Sequence, residues 1–448
     1  MFDNDTVELI NRAPELDGLD LAELPKQLTE AYASIVSARI CLREGTEQSG
    51  LPDDLIEIIK QMTRLAFSLE AIVSASEDAE NRMAAAFVAG SAHHVILLAQ
   101  ELMPKNIKSS TLSAYGVSPE VSATLLFLIA EASSDAAETA KKIIVSGEDS
   151  IEASVLKAIY HLANGSLLKI LATRVPSPDK FQSTDSLGQA VESLYYMLLH
   201  GIRALAASLL GSTDEHDLLD HDSKIIFNRV KGLCVDEIDE LVGLGDHPVH
   251  NVFPGPLHLA SLLAMVADHL IPSSIINTDP PKGIDAAKWF DMKQSIASAR
   301  PYLWRNHRQA ISSGYLETGM SSVISFPTGA GKSTLSELKI ATALLRNMKV
   351  VFLAPTLSLV DQTTRALANT FPNAEVHREI LDELLFDLEN DSLPAISVMT
   401  PERCLAMLSF NPDIFSSVGL LVFDECHLLH PRDADHSRRS IDSMLCLL

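Results

Sequence analysis

The sequence predicts a mostly α-helical N-terminal region followed by an α/β domain built on a parallel sheet. Up to about residue 275, apolar residues recur three or four positions apart, which places them on one face of a helix. After residue 300, short apolar runs alternate with helical stretches, a pattern typical of buried parallel strands covered by helices on both faces. The best boundary between the two parts is the proline-rich stretch IPSSIINTDPPKGID at 271–285.

Two segments show the helical period most clearly, at 52–73 and at 191–210. Their apolar residues share one helix face: Leu55, Ile59, Met62, Leu65, Leu69 and Ile72 in the first, and Val191, Leu194, Leu198, Ile202, Leu205 and Leu209 in the second. No fixed period joins such segments into a repeat family, so their topology stays open. We predict an all-helical accessory domain that docks a partner over 1–275, a linker over 276–299 and the α/β domain over 300–448.

Four apolar runs are the predicted strands of the α/β domain. They are SSVISF (321–326), KVVFLA (349–354), AISVM (395–399) and GLLVF (419–423). Helical stretches lie between most of them, as a parallel sheet requires.

The composition indicates a soluble, cytoplasmic protein. The net charge is −24, and most of the acidic excess falls before residue 301, which argues against a broad polyanion-binding surface there. The five cysteines form no CxxC pair, so a reducing compartment fits. The acidic N-terminus resembles no targeting signal, and PLHLASLLAMVADHLIPSSII (256–276) is interpreted as a buried helix rather than a membrane span.

Histidines cluster at three places outside any recognised motif. His216 and His221 lie among carboxylates in DEHDLLDHD (214–222), and His247 and His250 follow in DHPVH. A metal site is one interpretation, but without thiolates or an H-E-x-x-H arrangement solvated loops are favoured. The pair HH at 93–94 is interpreted as one packed and one solvated ring.

The first chemical motif is a phosphate loop at 327–334, PTGAGKST, directly after the first predicted strand. Glycines let successive N–H groups point inward and form an anion site at a helix N-terminus. Lys332 would reach the β- and γ-phosphates, and Ser333 would bind Mg²⁺. The predicted ATP-binding residues of the loop are Thr328, Gly329, Ala330, Gly331, Lys332, Ser333 and Thr334. The strict pattern has glycine where this chain has Phe326, so an incidental glycine-containing turn is the alternative.

The second motif is LLVFDECHLL, in which an apolar strand delivers two acids at its carboxyl end. Asp424 would hold Mg²⁺ through its water shell, and Glu425 would orient and deprotonate the water that attacks the γ-phosphate. With Lys332 these are the predicted catalytic residues. A helix N-cap is the structural alternative for such a pair.

Together the motifs resemble a superfamily 2 DExH-box helicase of the Ski2-like group, whose first ATP-binding domain is RecA-like. FPTGAGKS resembles motif I, APTLSLVDQ (354–362) motif Ia, TPER (400–403) the TPE motif and DECH (424–427) motif II. The resemblance implies ATP and Mg²⁺ as cofactors and a nucleic-acid strand or duplex end as partner. It also implies backbone contacts to that strand from the segments containing Pro355, Thr356, Thr400, Pro401 and Glu402.

Two further roles follow from the resemblance alone. His427 would couple the state of the nucleotide to strand movement. The glutamine that recognises adenine upstream of motif I is assigned to Gln309, although its spacing to the following Ala-Ile could place His307 there instead. The acidic helical region before a DExH core also resembles the helicase subunit of the bacterial Hachiman anti-phage system.

In this family, a motif III strand lies between the strands of motifs I and II, and a second RecA-like domain supplies arginines. Neither follows DECH in this sequence. We therefore expect a longer helicase or a chain completed by a partner, and little activity from this chain alone. Three function classes compete: a nucleic-acid helicase or translocase, a P-loop signalling or scaffold ATPase, and a catalytically silent interaction module.

Overall fold

The computed structural model describes two compact units, one ending at Ser273 and the other beginning at Ser274. The described residues are 23–47, 55–103, 111–143, 150–173, 175, 183, 185–212, 222–236, 250–251, 253–326, 331–378 and 393–425.

The first unit is helical, as predicted. Its described helices are α1 (Leu24–Glu47), α2 (Leu55–Ala75), α3 (Ala79–Glu101), α4 (Pro119–Ile129), α5 (Ser133–Ala140), α6 (Ile151–Ala163), α7 (Leu167–Ala172), α8 (Ser186–Leu210), α9 (Ser223–Cys234) and α10 (Pro254–Leu270). A two-residue antiparallel ribbon joins β1 (Val235–Asp236) to β2 (His250–Asn251). The helix predicted from 256–276 is therefore confirmed as α10, although it ends at Leu270.

Side-chain caps and apolar faces explain where these helices form. Asp78, Ser150 and Asp185 precede α3, α6 and α8, and their side chains accept first-turn N–H groups. Gly211 ends α8 at a φ of 62°, the left-handed conformation that glycine adopts most easily. All six apolar positions predicted for the segment at 191–210 are buried.

Two helices, α3 and α8, are long and apolar enough to cross a bilayer by length and composition. In each, 67% of the most apolar window is buried inside the structure. The core helix of a soluble protein meets the same criteria, so their hydropathy is explained by packing within the unit.

The second unit begins with a packed helix inside the segment predicted as a linker. Residues 276–299 contain α11 (Ala286–Ala297), which packs against α13 (Lys332–Leu345) of the sheet unit. Trp289 of α11 is 1% exposed and donates its indole N–H to the Thr278 carbonyl at 3.0 Å. The prolines of this region mark the boundary between units, but the residues behind them belong to a core.

Four parallel strands form the described sheet of the second unit, in the order β4-β5-β3-β6. They are β3 (Lys349–Leu353), β4 (Val376–Arg378), β5 (Ile396–Met399) and β6 (Val418–Phe423), with helices α12 (Arg305–Ser312), α14 (Leu357–Thr370) and α15 (Pro401–Phe410) in the same unit. β3 and β5 are buried as predicted, and Val351, Leu353 and Met399 share a core cluster with α15. This parallel α/β architecture is the predicted one.

The strand predicted at 321–326 is wrong. Residues 321–326 adopt no described strand, most of their side chains are exposed, and Val323 is 84% exposed. An extended segment becomes a strand only when a neighbour takes up its N–H and C=O groups. The described sheet ends at β6, whose other side has no described partner, and Leu421 of that strand is 40% exposed. Among the described residues, β6 is therefore the edge strand of the sheet rather than a buried one.

Candidate active site

The candidate site begins where α13 starts, directly after the phosphate-loop sequence. Gly331 is the N-cap, with a φ of 77°, and it provides no side-chain hydrogen bond to the helix. Lys332 and Ser333 follow with exposed side chains, while Thr334 is buried and its N–H donates to the Gly331 carbonyl at 3.0 Å. A helix start without a side-chain cap leaves first-turn N–H groups for an external anion.

The helices after β3 and β5 start differently, because a threonine caps each one. The Thr356 hydroxyl accepts the N–H of Leu359 at 3.3 Å at the start of α14. The Thr400 hydroxyl accepts the N–H of Arg403 at 3.3 Å at the start of α15, where Pro401 is the first helical residue. Proline suits this position because its missing N–H would have no partner inside the helix. Both sequence segments thus form helix N-termini.

The register of the sheet brings three of the motifs to one level. Leu353 at the end of β3 pairs with Met399 of β5 and with Phe423 of β6. The residues after each strand therefore leave the same carboxyl edge side by side: Pro355 and Thr356, Thr400 to Glu402, and Asp424 with Glu425. Open α/β sheets bind their ligands at this edge.

The acidic pair forms a sharp turn after β6. The N–H of Asp424 donates to the Leu353 carbonyl at 3.0 Å, which continues the pairing with β3 by one residue. Glu425 has a φ of 56°, and its N–H donates to Asp424 Oδ1 at 3.0 Å. A left-handed non-glycine residue costs about 1 kcal/mol or more, which the hydrogen bond offsets in part. Asp424 is half-buried and Glu425 exposed, so two adjacent carboxylates have different surroundings.

The structure separates the two residues considered for recognition of adenine. Gln309 is exposed on α12. His307, two residues earlier, is 1% exposed and lies against Gly331: a Cβ built on that glycine would be 2.5 Å from the imidazole Nε2. Of the other predicted site residues, Thr328, Gly329, Ala330 and His427 lie outside the described residues. So do His216, His221 and His247, and among the described residues no group of three ligand-type side chains could hold a metal.

Two buried charged residues of α13 support the site and were not predicted. Glu337 is 3% exposed and forms an ion pair with Arg300, and burial lowers the pKa of that guanidinium. Lys339 donates to the carbonyls of Tyr315 and Glu317, and its ammonium lies 5.4 Å from the centre of the Tyr315 ring. These contacts fix the helix that begins at Lys332 to the chain preceding the phosphate loop. The sequence did contain a signal for them, because Glu337 and Lys339 are charged residues within the otherwise apolar helical pattern of STLSELKIATALL.

The residues at the edge fit a nucleotide with its metal. An uncapped helix start and an exposed lysine suit phosphate oxygens, while the exposed Ser333 hydroxyl and the carboxylate of Asp424 are oxygen ligands of the kind that Mg²⁺ takes. The described fold and side chains therefore suit an α/β unit that binds a nucleotide at this edge.

Comparison with known proteins shows which proteins the second unit is similar to. The DEAD/DEAH box helicase family matches residues 304–446. The chain is 29% identical over 130 residues to the ATP-dependent DNA helicase Hel308 of Thermoplasma acidophilum, which covers 28% of this chain and 18% of that protein. It is 28% identical over 125 residues to the DExH-box ATP-dependent RNA helicase DExH10 of Arabidopsis thaliana, which covers 28% of this chain and 12% of that protein. The ATP-dependent RNA helicase mtr4 of Schizosaccharomyces pombe is 26% identical over 142 residues, 32% of this chain and 12% of that protein.

Residues 304–446 are thus similar to the ATP-binding domain of superfamily 2 DExH-box helicases, and Ski2-like DExH helicases are among the proteins that this part of the chain resembles. The chain spans less than a fifth of the length of the three relatives named above.

Proposed function

We propose that the protein is an ATP-dependent nucleic-acid helicase or translocase, in which ATP hydrolysis drives movement along a strand. The observation that carries this proposal is the shared register at Leu353, which sets the two threonine-capped helix starts beside the acidic pair. A P-loop ATPase that uses nucleotide only as a signalling switch needs the acidic pair but not the two neighbouring helix starts. Coupling between nucleotide and strand needs all three at one edge.

On the nucleotide side, each residue would have a distinct task. Lys332 would place its ammonium at the β- and γ-phosphates, next to the first-turn N–H groups of α13. Glu425 would orient and deprotonate the attacking water, which its exposure permits. Ser333 and Asp424 would hold Mg²⁺, which supplies positive charge to the phosphates when bound.

On the nucleic-acid side, the two capping threonines would donate to the strand backbone. Each hydroxyl oxygen already accepts an N–H from its own helix, so its hydrogen remains available for a phosphate oxygen. Pro355, Pro401 and Glu402 belong to the same two segments. Backbone contacts position a strand without reading its bases, so we expect binding that depends little on sequence. His427 would transmit the nucleotide state to these segments.

The test is ATP hydrolysis by this chain with and without single-stranded DNA or RNA, with Glu425→Gln as the matched control. Turnover by this chain alone should be small. Where a second domain or a partner completes the site, we expect a strand to stimulate turnover and the amide to abolish it, because loss of a general base lowers rates by roughly 10²- to 10⁴-fold. Turnover indifferent to both strands would contradict the proposal and favour a signalling or scaffold ATPase. Nucleotide binding without turnover would favour an interaction module, or a site completed by residues from elsewhere.

The helical unit supports a narrower proposal, a role in anti-phage defence with a protein partner. Its support is the architecture: a helical unit that ends at Ser273 precedes the DExH unit. The test counts phage plaques on cells that express this protein together with its partner, either unchanged or with Glu425→Gln. Equal plaque numbers with both would remove the proposal.

A further inference from the structure

His307 lies between the two residues that flank residues 327–330 of the phosphate loop. Its ring centre is 6.2 Å from that of Phe326, the residue before 327, with the planes inclined at 48°. Its Cε1 and Nε2 atoms crowd Gly331, the residue after 330, so closely that each would be 2.5 Å from an added Cβ. One buried side chain therefore contacts both ends of this part of the loop.

The other edge of the imidazole is fixed to its own helix. The N–H of Trp304 donates to His307 Nδ1 at 3.1 Å, at the start of α12. A ring nitrogen that accepts a hydrogen bond carries no proton, so the neutral ring has its proton on Nε2. The cap thus fixes both the orientation and the tautomer, and it directs the Nε2 edge towards Gly331.

We infer that His307 is the positioning residue of the phosphate loop. The ring lies between Phe326 and Gly331 and so determines the distance between them. That distance determines the position of the residue before the loop relative to the start of α13, and therefore the position of Lys332. The inference rests on the proposed nucleotide site and deepens it.

The same contact restricts residue 331. A side chain there meets two obstacles: the φ of 77°, which L-residues rarely adopt, and the imidazole of His307. The first obstacle belongs to the backbone and remains in any variant. The second disappears when the ring is removed, so substitutions at 307 and 331 should be coupled.

The experiment measures the affinity of the full chain for a fluorescent ATP analogue with Mg²⁺. His307→Asn is the main variant, because its amide oxygen can replace Nδ1 as the acceptor for Trp304 while the atoms that contact Gly331 are absent. We expect binding roughly tenfold or more weaker, since small displacements of binding groups have large effects. Ser312→Ala, at an exposed position of the same helix, is the matched control and should bind as the unchanged protein does.

A double-mutant cycle completes the test. Gly331→Ala and His307→Ala should each weaken binding, and the double variant should lose less than the sum of the two single losses, because the ring no longer opposes the methyl group. Additive losses, or unchanged affinity in His307→Asn, would overturn the inference and leave His307 as a helix cap. A loss in Ser312→Ala equal to that in His307→Asn would also overturn it. If the unchanged chain binds no nucleotide, the proposed function itself fails instead.

Discussion

At the scale of single residues, a buried carboxylate of the first unit makes the most informative contact. Glu70 accepts hydrogen bonds from Nε2 of His93 at 2.5 Å and from Nε2 of His258 at 2.7 Å. Burial by itself would raise the pKa of Glu70, but the charges and hydrogen bonds of the two imidazoles hold it at about 2. The sequence predicts a packed ring within the His93-His94 pair, but not its partner. His258 is 188 positions from Glu70, and no local period joins them.

Glu70 should make the stability of the first unit depend on pH in a defined window. Its folded pKa lies below the ordinary value of 4.5, so its contribution is complete above pH 4.5 and is lost as the pH falls towards 2. The shift corresponds to about 3 kcal/mol of unfolding free energy at neutral pH. Glu70→Gln should flatten this dependence, measured by urea unfolding between pH 7 and 3 with far-UV circular dichroism.

The matched control is Glu57→Gln, an exposed residue of the same helix. It should leave the pH profile unchanged. If Glu70→Gln gives the same profile as the unchanged protein, the two imidazoles do not stabilise the carboxylate in solution.

At the scale of elements, the sequence predicts those strands and helices whose burial is decided locally. β3 and β5 were found because continuous apolar runs are typical of strands that a parallel sheet buries on both faces. The run at 321–326 has a similar composition, but whether it becomes a strand depends on a neighbour that its own residues do not specify. Helix α11 was missed for the opposite reason: prolines and polar residues before it indicated a boundary, while Trp289 provided a core residue behind them.

Helix α11 should therefore contribute to the stability of the second unit, unlike a free linker. Trp289→Ala removes a buried indole and its hydrogen bond to Thr278, and substitutions of this kind cost about 3–5 kcal/mol. Urea unfolding followed by the emission of Trp304 measures the loss. Lys288→Ala, at the exposed preceding position, is the control and should change little. Equal unfolding midpoints for both variants would show that α11 is not part of the core.

At the scale of the whole molecule, the chain divides into two compact units. Both tryptophans of the chain, Trp289 and Trp304, belong to the second unit. The sequence of the first unit, which is helical, contains no tryptophan. Tryptophan emission therefore reports on the second unit alone, whereas far-UV circular dichroism reports on both. A chain with two compact units need not unfold in one step.

We expect urea unfolding at pH 7 to give different midpoints by the two signals. Glu70→Ala should lower the transition seen by circular dichroism, because it leaves the buried imidazole of His93 and the half-buried imidazole of His258 without their carboxylate partner. The transition seen by tryptophan emission should stay in place, since neither tryptophan belongs to the unit that contains Glu70. Trp289→Ala should lower the unfolding midpoint seen by the emission of the remaining Trp304, and it should leave the midpoint of the first unit unchanged. If either variant moves both transitions equally, the units fold as one cooperative body, and nucleotide binding at α13 would then also stabilise the helical unit.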